Sequence, residues 1–271
     1  MCGIGMIRCG DPVSSTVGTL RLRITDQAFP YAFVRSVRMH ITRVAVRSAA
    51  SQRVHVIEST PQTFDLISLQ NGLTDTLGVA SLPATSYDAV RLTISEVVVE
   101  LTDGRSLSAA WSDSTSTEEV LILLASPITL RGNQLGDVVV DFDLPRSLTA
   151  EGDPASVTGI TGFLFTPAAR AADLATVGQI TGLVRHNNGT PSNLSDDISV
   201  IGLHISIVQP GTADTVSVIT DPQGEYVAFF IPAGVYTLAI GSTDSTAAWL
   251  INGVVVTTAN PTRQDVLMPK Q

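Results

Sequence analysis

Two long stretches of two-residue alternation constrain the fold of this chain more than any other feature. From Val34 to Val46 the apolar Val37, Met39 and Ile41 alternate with Arg38, His40 and Thr42; beyond Arg43 the pattern resumes one residue out of step, with Val44 and Val46. Tyr87 to Leu101 behaves alike: Val90, Leu92 and Ile94 share a face, then the apolar set moves to Val97, Val99 and Leu101. A period of two belongs to a half-buried strand. A slip of one residue within it marks a β-bulge. Two long strands that both change face midway predict a bent sheet, each half covering a different part of the core.

Further strands are predicted over 18–25, 53–58, 119–124, 136–144 and 160–166, separated by Gly, Pro, Asp and Ser clusters at the spacing of an all-β sandwich. Phe64 to Gly78 differs: it predicts a short strand followed by one helical turn ending at Gly78. Residues 106–118, rich in Ser and Thr, read as a solvated excursion between strands. Around Pro167-Ala-Ala-Arg-Ala-Ala-Asp173 the residues are small and the alternation stops, so 169–176 reads as a linker. A new pattern starts near Gly178, with seven short strands over 179–184, 199–208, 214–220, 225–231, 235–240, 248–257 and 264–268. The organisation expected is all-β: a tether over 1–17, a sandwich over 18–168, the linker, and a second sandwich over 177–271.

One device occurs in both halves. Leu82-Pro-Ala-Thr-Ser-Tyr87 and Ile231-Pro-Ala-Gly-Val-Tyr236 each set a proline turn before a tyrosine that opens a strand. The ring can pack across the sheet corner while its hydroxyl reaches backbone. Asp221-Pro-Gln-Gly224 fits a type I turn and is expected to join two antiparallel strands.

Composition narrows compartment and partners. Of 271 residues 44% are hydrophobic and 15% charged, which excludes a disordered chain. No apolar run reaches the roughly 18 residues of a membrane helix. A net charge of -9 repels phosphate backbones, so nucleic acid is not an expected partner. Both cysteines, Cys2 and Cys9, lie in the first ten residues, leaving the body of the chain without a disulfide or thiolate metal site. Met1 to Pro12 is too short for a whole secretory signal. Its Cys-Gly-Asp resembles the mature end of a bacterial lipoprotein, which makes Cys2 and Cys9 the candidate lipidation sites, although neither Met1 nor Arg8 is the small residue expected before the cysteine.

Four segments resemble a known family: Gly18-Thr-Leu-Arg-Leu-Arg-Ile-Thr-Asp26, Phe64-Asp-Leu-Ile-Ser-Leu-Gln-Asn-Gly72, Leu82-Pro-Ala-Thr-Ser-Tyr-Asp-Ala-Val-Arg-Leu92 and Val140-Asp-Phe-Asp-Leu-Pro-Arg-Ser147. In that order they are similar to the bacterial domain of unknown function family 4382, over most of 18–168. Thr85 stands where the family usually has glycine. Residues 177–268 resemble the carboxypeptidase regulatory-like domain, a seven-stranded transthyretin-like (prealbumin-like) sandwich with a carbohydrate-binding-like fold, through Gly178-Gln-Ile-Thr-Gly-Leu-Val184, Thr220-Asp-Pro-Gln-Gly-Glu-Tyr226 and the Pro-Ala-Gly-Val-Tyr turn. The resemblance implies an extracytoplasmic bacterial protein of periplasm or cell surface, commonly a lipoprotein, with no established chemistry.

Site candidates are few. Asp141 and Asp143 share one face of a strand whose other face carries Val138, Val140 and Phe142. Two carboxylates at that spacing suit a calcium ion or an acid/base pair; arginines on neighbouring strands account for them equally well. Arg43 and Arg47, and likewise Glu96 and Glu100, project to one face, predicting a cross-strand ladder if their strands are neighbours. His40, His55, His186 and His204 are scattered. Trp111 and Trp249 are the candidate platforms for a glycan, each equally able to anchor a core. No nucleophile elbow, zinc-protease helix, phosphate loop or Cys-x-x-Cys occurs. The expectation is a non-enzyme without a cofactor, serving as a scaffold or binder at the cell envelope, with a glycan or another envelope protein as partner.

Overall fold

The computed structural model describes residues 16–26, 32–112, 119–189, 197–211, 215–241 and 249–269. Cys2, Cys9 and most of the expected tether lie outside them. The first part of the chain forms β1 (Val17–Asp26), β2 (Val34–Ser48), β3 (Val54–Glu58), β4 (Gln62–Asp65), β5 (Asp75–Pro83), β6 (Ser86–Leu101), β7 (Ser106–Ser108), β8 (Ala110–Trp111), β9 (Glu119–Thr129), β10 (Leu135–Phe142), the helical turn α1 (Leu144–Ser147), β11 (Leu148–Gly152), β12 (Ile160–Phe165) and β13 (Ala169–Asp173). The second forms β14 (Val177–His186), β15 (Ile198–Ser199), β16 (His204–Val208), β17 (Thr215–Ile219), β18 (Glu225–Pro232), β19 (Gly234–Ile240), β20 (Trp249–Val256), β21 (Thr262–Arg263) and β22 (Val266–Met268). The fold is all-β, two sandwich-like bodies in tandem.

Ten strands of the first body make one sheet, in the order β3, β2, β6, β9, β13, β10, β1, β5, with β4 added to β2 and β7 to β6. A sheet of that width left flat would expose one apolar face. This one folds over until its two ends meet: Gln62 donates to the Leu77 carbonyl at 3.3 Å, and a side chain on Gly78 would start 2.9 Å from Ile57. Leu20, Leu22 and Ile24 of β1 therefore share a core with Val90, Leu92 and Ile94 of β6, and β11, β12 and β8 close it with Leu148, Phe163 and Phe165.

The bend sits where the alternation slips. His40 stands opposite Glu96 and Ile41 opposite Ile94, so Ser95 is skipped; Arg43 stands opposite Thr93, so Thr42 is skipped too. Each strand has one extra residue at the same level, and the two slips cancel. The hydroxyls of Ser95 and Thr42 donate to the carbonyls of His40 and Thr93 across the gap (3.4 and 3.3 Å). Without the slip Val44 and Val46 would leave the core that holds Val37, Met39 and Ile41; with it all five are buried.

The second body has its own core. β14 pairs with β15 and β18 and runs parallel to β21 and β22, while β17, β16, β19 and β20 form the facing sheet. Ile180, Val184, Ile205, Ile207, Tyr226 and Leu238 fill the space between. Both proline turns work as their spacing predicts: Tyr87 donates to the Pro83 carbonyl at 3.0 Å and Tyr236 to the Pro232 carbonyl at 2.7 Å, each four residues back, with the rings buried. Tyr236→Phe and Tyr87→Phe should each lower stability by about 1 kcal/mol, read by urea denaturation, because the proline carbonyl loses its donor while the ring packing survives.

Four local expectations are corrected. The segment expected as a linker over 169–176 contains β13, which lies between β9 and β10 in the first sheet; only the 3-10 turn Leu174–Thr176 separates it from β14. Ala171 and Ala172 are both buried, so this central strand is covered on both faces and reads as a run of small residues without alternation. The helical turn expected to end at Gly78 is a 3-10 turn over Leu66–Leu69, capped by Asp65; Asn71 and Gly72, at φ 59 and 79, break the chain there, and Gly78 lies within β5. Part of the expected excursion at 106–118 forms β7 and β8, while 113–118 lie outside the described residues. Asp221-Pro-Gln-Gly224 makes its turn, Gly224 donating to the Asp221 carbonyl at 2.9 Å, yet it joins β17 to β18, which belong to opposite sheets.

Candidate functional site

Where the two bodies meet, β10 delivers Asp141 and the residue that caps α1, Asp143. Antiparallel pairing with β13 sets Arg170 directly opposite Asp141, and the two form an ion pair in which Asp141 is 2% exposed. The neighbouring-strand arginine anticipated for the carboxylate pair is thus present. The same guanidinium reaches into the second body, donating to the carbonyls of Phe230 at 2.9 Å and Phe229 at 3.0 Å. Its side chain is 12% exposed.

Those carbonyls belong to a bulge. Ala228 stands opposite Ile180 and Ile231 opposite Gly178, so Phe229 and Phe230 together face Gln179. Phe230 has φ 56, a left-handed conformation that costs a bulky residue about 1–2 kcal/mol. Its neighbour Phe229 lies against Gly72 of the first body, where an added Cβ would come within 2.8 Å of the ring. Arg170 therefore holds a strained segment of the second body against the first through both of its carbonyls.

Asp143, 7% exposed, accepts from the Arg146 amide at 3.1 Å through one oxygen, and its other oxygen has no hydrogen-bond partner within 3.5 Å among the described residues, the Ser217 hydroxyl acting from farther off. Burial pushes its carboxyl up to about 6; the Arg146 amide and charge and the Ser217 hydroxyl pull the other way, and the Asp141 charge adds to the rise. Behind it Asp26 of β1 accepts from the Leu144 amide at 3.2 Å and from Gln70 at 3.4 Å. Burial, then the charge of Asp141, raises Asp26 well above the carboxylate range. A cavity of about 370 Å³ opens beside these groups, lined by Asp141, Asp143, Arg146, Arg170, Thr166 and Thr215.

The other candidates are dispersed. Trp111 is half-buried, edge-on to Phe165 at 5.1 Å, and packs on the first core. Trp249 opens β20 at 41% exposed. His40 bonds Thr63 at 2.8 Å, His55 stands edge-on to Tyr87 at 5.8 Å, and His186 bonds the Pro269 carbonyl at 3.1 Å; none of the four histidines lines the cavity. β2 and β6 are neighbours as the ladder required, but its rungs differ. Arg47 pairs with Asp88 at 2.8 Å, Glu100 with Arg38 at 2.9 Å and Arg35 at 3.6 Å, and Glu96 accepts from Ser108 at 3.0 Å. The twin bulges set Arg43 opposite Thr93, out of line with Glu96. The residues missed in the sequence are Arg170 and Phe230. Arg170 stood in view as the single charge among the alanines of 168–172.

Such a chain is a modular all-β protein whose charged groups tie strand to strand and body to body. Residues 17–167 match the family model described as a domain of unknown function (DUF4382), and the chain belongs to that family. No curated protein matches the sequence. Solved structures superpose loosely. The Bacillus anthracis TIE protein aligns at 10% identity and a TM-score of 0.28, over 96% of this chain and 40% of that one. A streptococcal ancillary pilin gives 11%, 0.26, 94% and 63%. A minor pilin of Streptococcus agalactiae gives 10%, 0.26, 93% and 96%. The chain spans less than two thirds of the first two.

Proposed function

We infer that this chain is a non-catalytic, extracytoplasmic scaffold of the bacterial envelope, its second body a carboxypeptidase regulatory-like module and its N-terminal region anchored by lipid on Cys2 or Cys9. The observation that carries this reading is the position of Arg170, whose charge neutralises Asp141 and grips two carbonyls of the second body. A scaffold needs a fixed relation between its parts, and a guanidinium with donors in a rigid fork supplies it. A catalytic carboxylate needs contact with substrate; Asp141 borders the cavity but is 2% exposed and already paired with Arg170. Asp143 is raised to about 6, but among the described residues no imidazole lines its cavity. Arg170 also occupies the place beside Asp141 that a calcium ion would take, so calcium should leave the melting temperature unchanged.

The test is cellular. In the source bacterium the protein should fractionate with the envelope and incorporate labelled palmitate, with the label lost in Cys2→Ser or Cys9→Ser. Recovery in the cytosol, unlabelled, contradicts the reading.

The exposure of Trp249 favours a second reading, carbohydrate binding. If that reading is right, a glycan array will show binding that Trp249→Ala abolishes. Trp111→Ala should instead lower stability by about 2–3 kcal/mol through its lost packing, measured by denaturation.

A further inference from the structure

The strand edges of the second body are guarded unevenly. On β18 the carbonyls of Phe229 and Phe230 are taken by Arg170. β17 turns directly into β18 through the Asp221 turn, and Arg146 reaches its Thr215 carbonyl at 3.5 Å. β20 pairs with β19 on one side; on the other, among the described residues, the Thr262 hydroxyl covers the Val255 carbonyl at 2.7 Å and no strand pairs along 249–254. Trp249 to Val256 contains no charged residue and no proline, the usual devices that keep an edge from pairing. Leu250 and Val255 point outward at 55% and 54% exposed, beside the exposed Val235 of β19.

We propose that β20 is a docking edge for a second copy of this chain, pairing antiparallel with its own counterpart about a two-fold axis. Two features point to a copy over a foreign strand. The chain carries a net charge of -9, and a two-fold contact brings each local charge near its duplicate; this edge has none to repel. β20 also bulges at its centre: Val254 stands opposite Tyr236 and Ile251 opposite Leu238, with Gly253 at φ 76. Ile251 and Val254 therefore both face the core and Leu250 and Val255 both face outward, although the members of each pair lie an odd number of positions apart. Paired about Asn252 and Gly253, Leu250 meets the copy's Val255 and Ile251 meets the copy's Val254, like face against like. A regular partner strand falls out of step across the bulge, whereas a copy brings the matching extra residue, as Thr42 and Ser95 do for each other between β2 and β6. Pairing extends the four-stranded sheet to eight strands and sets the outward apolar residues of the two copies side by side.

This proposal does not rest on the scaffold reading. Sedimentation of the full chain under reducing conditions, which excludes cross-links through Cys2 and Cys9, should show mass doubling as concentration rises through the micromolar range. Leu250→Lys/Val255→Lys should remain a monomer with wild-type circular dichroism, while Leu121→Lys/Leu123→Lys, two exposed leucines on β9, should dimerise as wild type does. Amide exchange of the unaltered chain gives a second readout, with protection over 249–254 rising with concentration. A wild-type chain that stays monomeric, a dimer that the β20 substitutions leave intact, or exchange over 249–254 that ignores concentration overturns the proposal.

Discussion

Replacing Arg170 by methionine is expected to lower stability by about 3–5 kcal/mol, the usual cost of removing one member of a buried pair. The length of the side chain is kept, so the loss is electrostatic. Asp141, 2% exposed, keeps its charge with no guanidinium beside it, and the carbonyls of Phe229 and Phe230 lose their donors while Phe230 stays in its left-handed conformation. Arg170→Lys should recover only part, because a single ammonium cannot span the carboxylate and two carbonyls in one plane. Arg170→Met combined with Asp141→Leu should recover most of it, since the uncompensated charge is then gone. Urea denaturation of the three variants separates these outcomes. A single-variant loss below about 1 kcal/mol would place the pair among exposed ion pairs, which contribute little.

The second large effect is on pH dependence. Burial holds Asp143 at about 6 in the folded protein, against about 3.9 for an unfolded aspartate. Between those values the folded state keeps a proton that the unfolded state has released. The associated stability is complete below about pH 4 and is lost as pH rises through about 6. Two units correspond to about 3 kcal/mol. Asp26, raised in the same sense, steepens the fall. Asp143→Asn cannot ionise and still offers an oxygen to the Arg146 amide, so it should exceed wild type by about 2–3 kcal/mol near pH 7.5 and match it near pH 4. Denaturation curves at the two pH values decide it; a gain equal at both would show that the carboxyl does not titrate in this window.

What the sequence made legible was the part governed by local periodicity. The slips at Arg43 and between Ile94 and Val97 located a bend that needs both bulges, because side-chain alternation in a half-buried strand has only one way to keep Val37 and Val44 in the same core. The tyrosines at 87 and 236 were readable for the same reason: proline, spacing and ring all lie within six residues. Asp141 and Asp143 do line one cavity, although Asp143 lies beyond β10 as the cap of α1 and not on the strand face that the alternation suggested. Their partner was hidden, since β13 is buried on both faces and its alanines erase the alternation that would have announced a strand. The expected ladder between Arg43 and Arg47 and Glu96 and Glu100 does not form, because the register that sets Arg43 opposite Thr93 is defined only by the paired bulges. Phe230 gave no signal, because a left-handed aromatic residue follows from tertiary grip and not from local preference.

Differential scanning calorimetry of the intact chain tests the joining of the two bodies through Arg170 most directly. One cooperative transition is predicted, with calorimetric and van't Hoff enthalpies equal, and Arg170→Met should split it into two. Two separate transitions in the wild-type chain, both unmoved relative to each other by that substitution, would contradict it.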